Sequence, residues 1–224
     1  YTTLFRSHYR SGSTKQELKG VALNRFLLSK SGVRWDSAIV EEESVGKLSQ
    51  EALSRFKKTA SKSNRVDKEV LNDTDAVLLE NLNLINSKGQ LNRAAIMLFH
   101  PTPERFVSGA YVKIGMFGND DDDLLFQDEI HGPLMLQVDK VMDILMTKYL
   151  YYAISYNGIH REETPIFPEG ALRECVLNAL VHKDYTSNLP IQISVYPDHI
   201  VVWNAGELPQ DWTVAKLYET LMTS

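Results

Sequence analysis

The 224-residue sequence has one cysteine, Cys175. That count excludes an intrachain disulfide framework and fits a reducing compartment. It has no unbroken apolar run near the ~18 residues that a membrane-spanning helix needs. The opening stretch, YTTLFRSHYRSGSTK, lacks the apolar core of a signal peptide and the pattern of a transit peptide. Cytoplasmic localisation is therefore expected. There is no G-x-x-x-x-G-K-[ST] loop, because Gly12-Ser13-Thr14-Lys15 has the wrong order and no glycine at the required distance before it. Without that phosphate cradle, a helicase motor is excluded from this chain. His100, His131 and His160 are scattered without ligand spacing, so no metal centre follows from them. Internal repeats and low-complexity tracts are absent too.

The composition is that of an ordinary globular protein, 43% hydrophobic and 24% charged. The net charge of −5 conceals an asymmetry. Residues 1–70 carry 14 basic against 8 acidic side chains, and residues 71–224 carry 10 against 21. A basic first third suits phosphate contact with nucleic acid, although a solvated basic face has the same composition.

Hydrophobic periodicity predicts an α+β fold. Leu18, Ala22, Phe26 and Leu27 fall at helical spacing within 15–30, with Thr14 and Glu17 matching a capping box. Val33–Val40 reads as a strand, and 58–73 as a polar connector. Helices are expected over 49–60 with Ser49 as N-cap, over 73–83, over 91–99 and over 134–150. Met135, Met142 and Met146 read as core fillers. Residues 111–117 and 124–130 read as strands, joined through the acidic run Asp120–Asp123. That run lacks the alternating ligands, glycine turn and distal Glu of a calcium loop. Short extended pieces follow at 153–156 and 159–163, and Pro165 and Pro168 mark a domain boundary. Beyond it come a helix through His182, strands at 191–196 and 199–203, and a helix over 213–222. Trp35, Trp203 and Trp212 read as core or interface residues, and Cys175 as a buried structural thiol.

The segment ALRECVLNALVHKDY, residues 171–185, carries the most chemistry. Glu174, Asn178 and His182 are four apart, so on a helix they drift about 40° per step and share one stripe. Leu172, Val176, Ala179 and Leu180 fall on another face. A carboxylate there could polarise a water, and an amide oxygen could ligate Mg²⁺. The polar side of an amphipathic helix has the same pattern, and the stripe alone does not distinguish the two.

E-x-x-x-N-A-L-x-H resembles the N box of the GHKL ATPase superfamily, which includes gyrase, mismatch-repair ATPases and sensor histidine kinases. VVWNAGEL, residues 201–208, resembles the D-x-G-x-G segment of the same superfamily. The resemblance implies Glu174 as general base, Asn178 as Mg²⁺ ligand, and His182 beside the cofactor. It also implies Asn204 in the place of the adenine-reading aspartate and Gly206 as the first glycine. Two positions depart from the pattern. Asn204 is neutral, and Leu208 stands where the second glycine belongs.

Four ordered segments (9–28, 78–99, 112–134 and 167–185) are similar to a bacterial family of transcriptional regulators. These have an N-terminal Schlafen AlbA-type DNA-binding domain and a C-terminal region labelled as RecG-like. The similarity extends over nearly the whole chain from Tyr9. It implies a fragment: residues 1–40 as the tail of an AlbA-type domain, 41–164 as a mixed helical and β middle region, and 165–224 as the start of a GHKL-like α/β sandwich. ATP and Mg²⁺ are the implied cofactors and DNA the implied partner. Arg10 and Lys15 are candidates for backbone-phosphate contact, with a place beside the Thr14 cap as the competing reading. Three functions are compatible with these features: a DNA-associated regulator that senses nucleotide, an Mg²⁺-dependent ATPase, and an interaction module without ligand.

Overall fold

The computed structural model describes residues 7–11, 14–18, 32, 34–63, 68–150, 152–157 and 160–206. The fold is α+β, with six helices and a four-stranded mixed sheet among the described residues. Strands β1 (Ser7–Ser11) and β2 (Thr14–Leu18) form an antiparallel hairpin. A helical block follows: α1 (Gln50–Ser63), α2 (Lys68–Asn72), α3 (Asp75–Asn81) and α4 (Arg93–Phe99). Next come β3 (Val112–Phe117), β4 (Leu124–Ile130) and α5 (Leu134–Ile144). The hairpin β5 (Tyr152–Asn157) and β6 (His160–Pro165) precedes α6 (Glu169–His182), β7 (Ile191–Val195) and β8 (Ile200–Trp203).

The sheet order is β4-β3-β7-β8, with β3 and β7 parallel and the outer pairs antiparallel. Parallel neighbours need a crossover, and here α5 and α6 lie within it. Alternation places Val112, Ile114, Met116, Ile191, Ile193 and Val195 on one face, where they are buried. Val141, Met142 and Leu145 from the α5 side and Leu172, Val176, Ala179 and Leu180 from α6 complete that core. The four residues assigned to the inward face of α6 are thus all buried. Both sheet and core run across the proline-marked position at 165, joining residues of the middle region to those of the last.

A second core lies under the helical block, where Leu53, Leu79, Leu91, Ile96 and Phe99 pack together. Three of the four helix starts in this block have a local cause. Ser49 Oγ accepts from Ala52 N at 3.2 Å, Thr74 Oγ1 from Val77 N at 3.4 Å, and Asn92 Oδ1 from Ala95 N at 2.9 Å. Gly89, with φ 74°, makes the turn between Ile85 and Leu91.

Several expectations are corrected. Thr14 and Glu17 lie in β2, not in a capped helix over 15–30; residues 19–31 lie outside those described. Ser11 pairs with Thr14. Cross-strand pairing therefore satisfies backbone groups that a helix cap would have used. The 33–40 strand is replaced by a 3₁₀ turn at Trp35–Ser37 and one bridge, Ile39 to Asn92. The 58–73 connector is helical at both ends, since α1 extends to Ser63 and α2 covers Lys68–Asn72. The long helix from Leu134 finishes as a π turn, Leu145–Tyr149. Cys175 is exposed rather than buried. Trp203 is exposed and Trp35 half-buried, so neither is a core residue, and Trp212 lies outside the described residues, as does the 213–222 helix. Asp120–Asp123 does form the hairpin loop, with Gly118 N bonded to Asp123 O at 2.9 Å.

Candidate functional site

Helix α6 starts after Pro168, whose fixed φ suits a helix entry. One side of the helix is spent on the sheet. The next side carries Glu174, Asn178 and His182, all exposed. Asn178 Nδ2 donates to Glu174 Oε1 at 3.1 Å, an (i, i+4) bond that holds both groups on the stripe. With the amide nitrogen so engaged, Asn178 Oδ1 and Glu174 Oε2 remain as two oxygens on the same surface. Those donors fit a hard divalent cation such as Mg²⁺.

Three contacts bring the segment after β8 to the C-terminal end of this helix. Asn204 Nδ2 donates to Ala179 O at 2.8 Å. Asp184 N donates to Ala205 O at 2.5 Å. Gly206 passes so close to the helix end that a Cβ there would meet His182 O at 2.8 Å. Glycine at 206 is therefore required by the protein's own packing. Because Ala179 O can only accept, the amide of Asn204 is oriented, and its Oδ1 is left as an acceptor. An exocyclic amino group such as that of adenine fits this acceptor.

The turn after α6 is locally determined. Asp184 Oδ1 accepts from Thr186 N at 2.9 Å and Thr186 Oγ1 at 2.7 Å, an Asx turn. Lys183 is buried, with its Nζ over the Tyr185 ring at 4.4 Å and bonded to Asp184 O at 3.3 Å. Burial pushes its ammonium down to about 8, against the pull of the Asp184 carboxylate. Tyr185 Oη donates to Leu180 O at 2.8 Å, and burial holds its phenol well above the usual range.

The structure thus unites Glu174, Asn178, His182, Asn204 and Gly206 around one helix. Arg10 and Lys15 are elsewhere in the chain, as cross-strand partners in the β1–β2 hairpin. Two features had no readable signal in the sequence. Lys183 gains its character from burial alone. Asp139 on α5 accepts from Arg55 Nε at 2.8 Å and Arg173 Nη1 at 2.9 Å, linking residues 84 and 34 positions apart. Burial acts to raise the Asp139 pKa, but the hydrogen bonds from Arg173 and Arg55 outweigh it and hold the carboxyl below its ordinary value.

Among the described residues no helix is long and apolar enough to cross a membrane, and no cluster of His, Cys, Asp and Glu could hold a metal by itself. Comparison with protein families and with curated proteins finds no match. Among solved structures, the DIP2311 protein from Corynebacterium diphtheriae is similar, with a TM-score of 0.58 at 20% identity. The similarity covers 98% of this chain and 45% of that one, so this chain spans under half the length of that protein. What this chain shares with DIP2311 is its fold.

Proposed function

We propose that this chain is part of a DNA-binding transcriptional regulator, and that α6 and the end of β8 form a GHKL-like site for Mg-ATP. The observation that carries the reading is the docking of 204–206 on Ala179–His182. It joins the N-box-like helix to the adenine-segment-like turn, 25 residues apart, through the Asn204 bond to Ala179 O. Asn178 Oδ1 supplies the cation ligand, Asn204 Oδ1 accepts from the adenine amino group, and His182 borders the site. Bound Mg²⁺ would supply charge neutralisation for the phosphates. Arg10 and Lys15 serve as backbone-phosphate contacts for DNA. Calorimetry with Mg-ATP on the natural-length protein tests this. Binding that disappears in Asn178→Ala supports it, and no binding to the unaltered protein rejects it.

Hydrolysis is a second reading, favoured by the exposed carboxylate of Glu174 held 3.1 Å from the Asn178 amide. In that case Glu174→Ala abolishes phosphate release and leaves nucleotide binding intact. Release that is equal in the variant and the parent removes Glu174 as the base.

A further inference from the structure

A groove separate from the polar stripe lies between α1, α4, α5 and α6, with a volume of about 490 Å³. That is within the ~300–1,000 Å³ common for small-molecule sites. Its lining is mainly apolar, with Met97 and Leu180 buried and Leu177 and Val181 exposed at the rim. Val181 is 70% exposed and Leu177 38%. Trp35 and Tyr185 also line it, their rings stacked at 6.3 Å.

Its charges are specific. Asp36, Arg55, Asp139 and Arg173 are the charged groups in the lining. Asp36 is held by Arg34 Nη2 at 3.0 Å. Asp139 is shared: its Oδ2 accepts from Arg55 Nε at 2.8 Å and Nη2 at 2.6 Å, and its Oδ1 from Arg173 Nη1 at 2.9 Å. At this junction one carboxylate between two guanidiniums leaves one positive charge in excess, and Asp36 in the lining is offset by its pairing with Arg34. Arg173 spends one of its N–H donors on Asp139, and a guanidinium has five. Free planar donors beside an apolar channel suit a carboxylate that carries a hydrocarbon body.

We infer that this groove binds a small amphiphilic carboxylate, its apolar body on Met97, Leu177, Leu180 and Val181 and its head on Arg173. The site lies on the flank of α6 adjoining the stripe proposed for nucleotide, uses other residues, and does not depend on it. Decanoate is the probe, titrated calorimetrically into the natural-length protein below its micelle concentration, beside decanol. The expected result is saturable binding of decanoate, with decanol weaker by about tenfold or more for want of a charge-assisted hydrogen bond. Val181→Asp, at an exposed position, keeps the fold by circular dichroism and weakens decanoate by about tenfold, through repulsion at the rim. Arg173→Gln gives a similar loss; should it fail to fold, Val181→Asp decides alone. Glu174→Ala, on the neighbouring stripe, leaves decanoate binding unchanged. Equal affinity for acid and alcohol, no saturable binding, or undiminished binding in folded Val181→Asp overturns the inference.

Discussion

Asn204 shows how one side chain is committed by its neighbours. Its amide nitrogen is fixed on Ala179 O at 2.8 Å, so a carboxylate there would set oxygen against oxygen. Asn204→Asp is expected to lower stability by about 1–3 kcal/mol, the cost of a partly buried acceptor without a donor, read by urea denaturation. Lys183 makes a second prediction, in pH. Its folded pKa of about 8 is below the unfolded value near 10.4, so the unfolded chain binds more protons between them. The folded state is therefore penalised below about pH 8, and the penalty is relieved as pH rises toward the unfolded value. Lys183→Met, which cannot ionise, should lose this upward slope between pH 8 and pH 10 relative to the parent. Parallel pH profiles for the two proteins would contradict the assignment. Cys175 is exposed, so its single thiol should react with an aromatic disulfide reagent without denaturant. Protection until unfolding would place it inside.

At the scale of elements, α6 has three jobs on three sides: the sheet core, the polar stripe and the α5 contact through Arg173. Its stripe and its inward face were legible in the sequence because a helix repeats its faces every 3.6 residues. The strands β3, β4, β7 and β8 were legible as short apolar stretches around turn signals, and the start of α1 from its cap Ser49, whereas the caps Thr74 and Asn92 came from the structure. The Thr14–Leu18 strand was not, because TKQEL carries a capping pattern that cross-strand pairing overrode. The Asp139 junction could not be read either, since contacts between residues 84 apart leave no local period. Breaking that junction is testable. Asp139→Asn should cost about 1 kcal/mol, modest because the groups are partly solvated. The junction should also weaken in acid, as pH falls below the ordinary Asp range and through the lowered folded pKa. Gly206→Ala should be more damaging, since the new methyl would press on His182 O at 2.8 Å and a backbone atom cannot swing aside. A loss of about 1–3 kcal/mol is expected in thermal or urea unfolding.

For the whole molecule, the two cores meet at α5, where Leu136 belongs to the helical core and Val141, Met142 and Leu145 to the sheet core. This arrangement places the stripe proposed for nucleotide and the proposed groove on adjoining flanks of α6. The central claim concerns the first of these. Asn204 Oδ1 is an acceptor, and under the proposed reading it favours an adenine amino group over a guanine carbonyl. The most direct test is therefore calorimetry of the natural-length protein with Mg-ATP and Mg-GTP, repeated in Asn178→Ala. The account predicts saturable Mg-ATP binding, Mg-GTP weaker by about tenfold or more, and loss of both in the variant. Absence of Mg-ATP binding, or binding indifferent to the base and to Asn178, would contradict it.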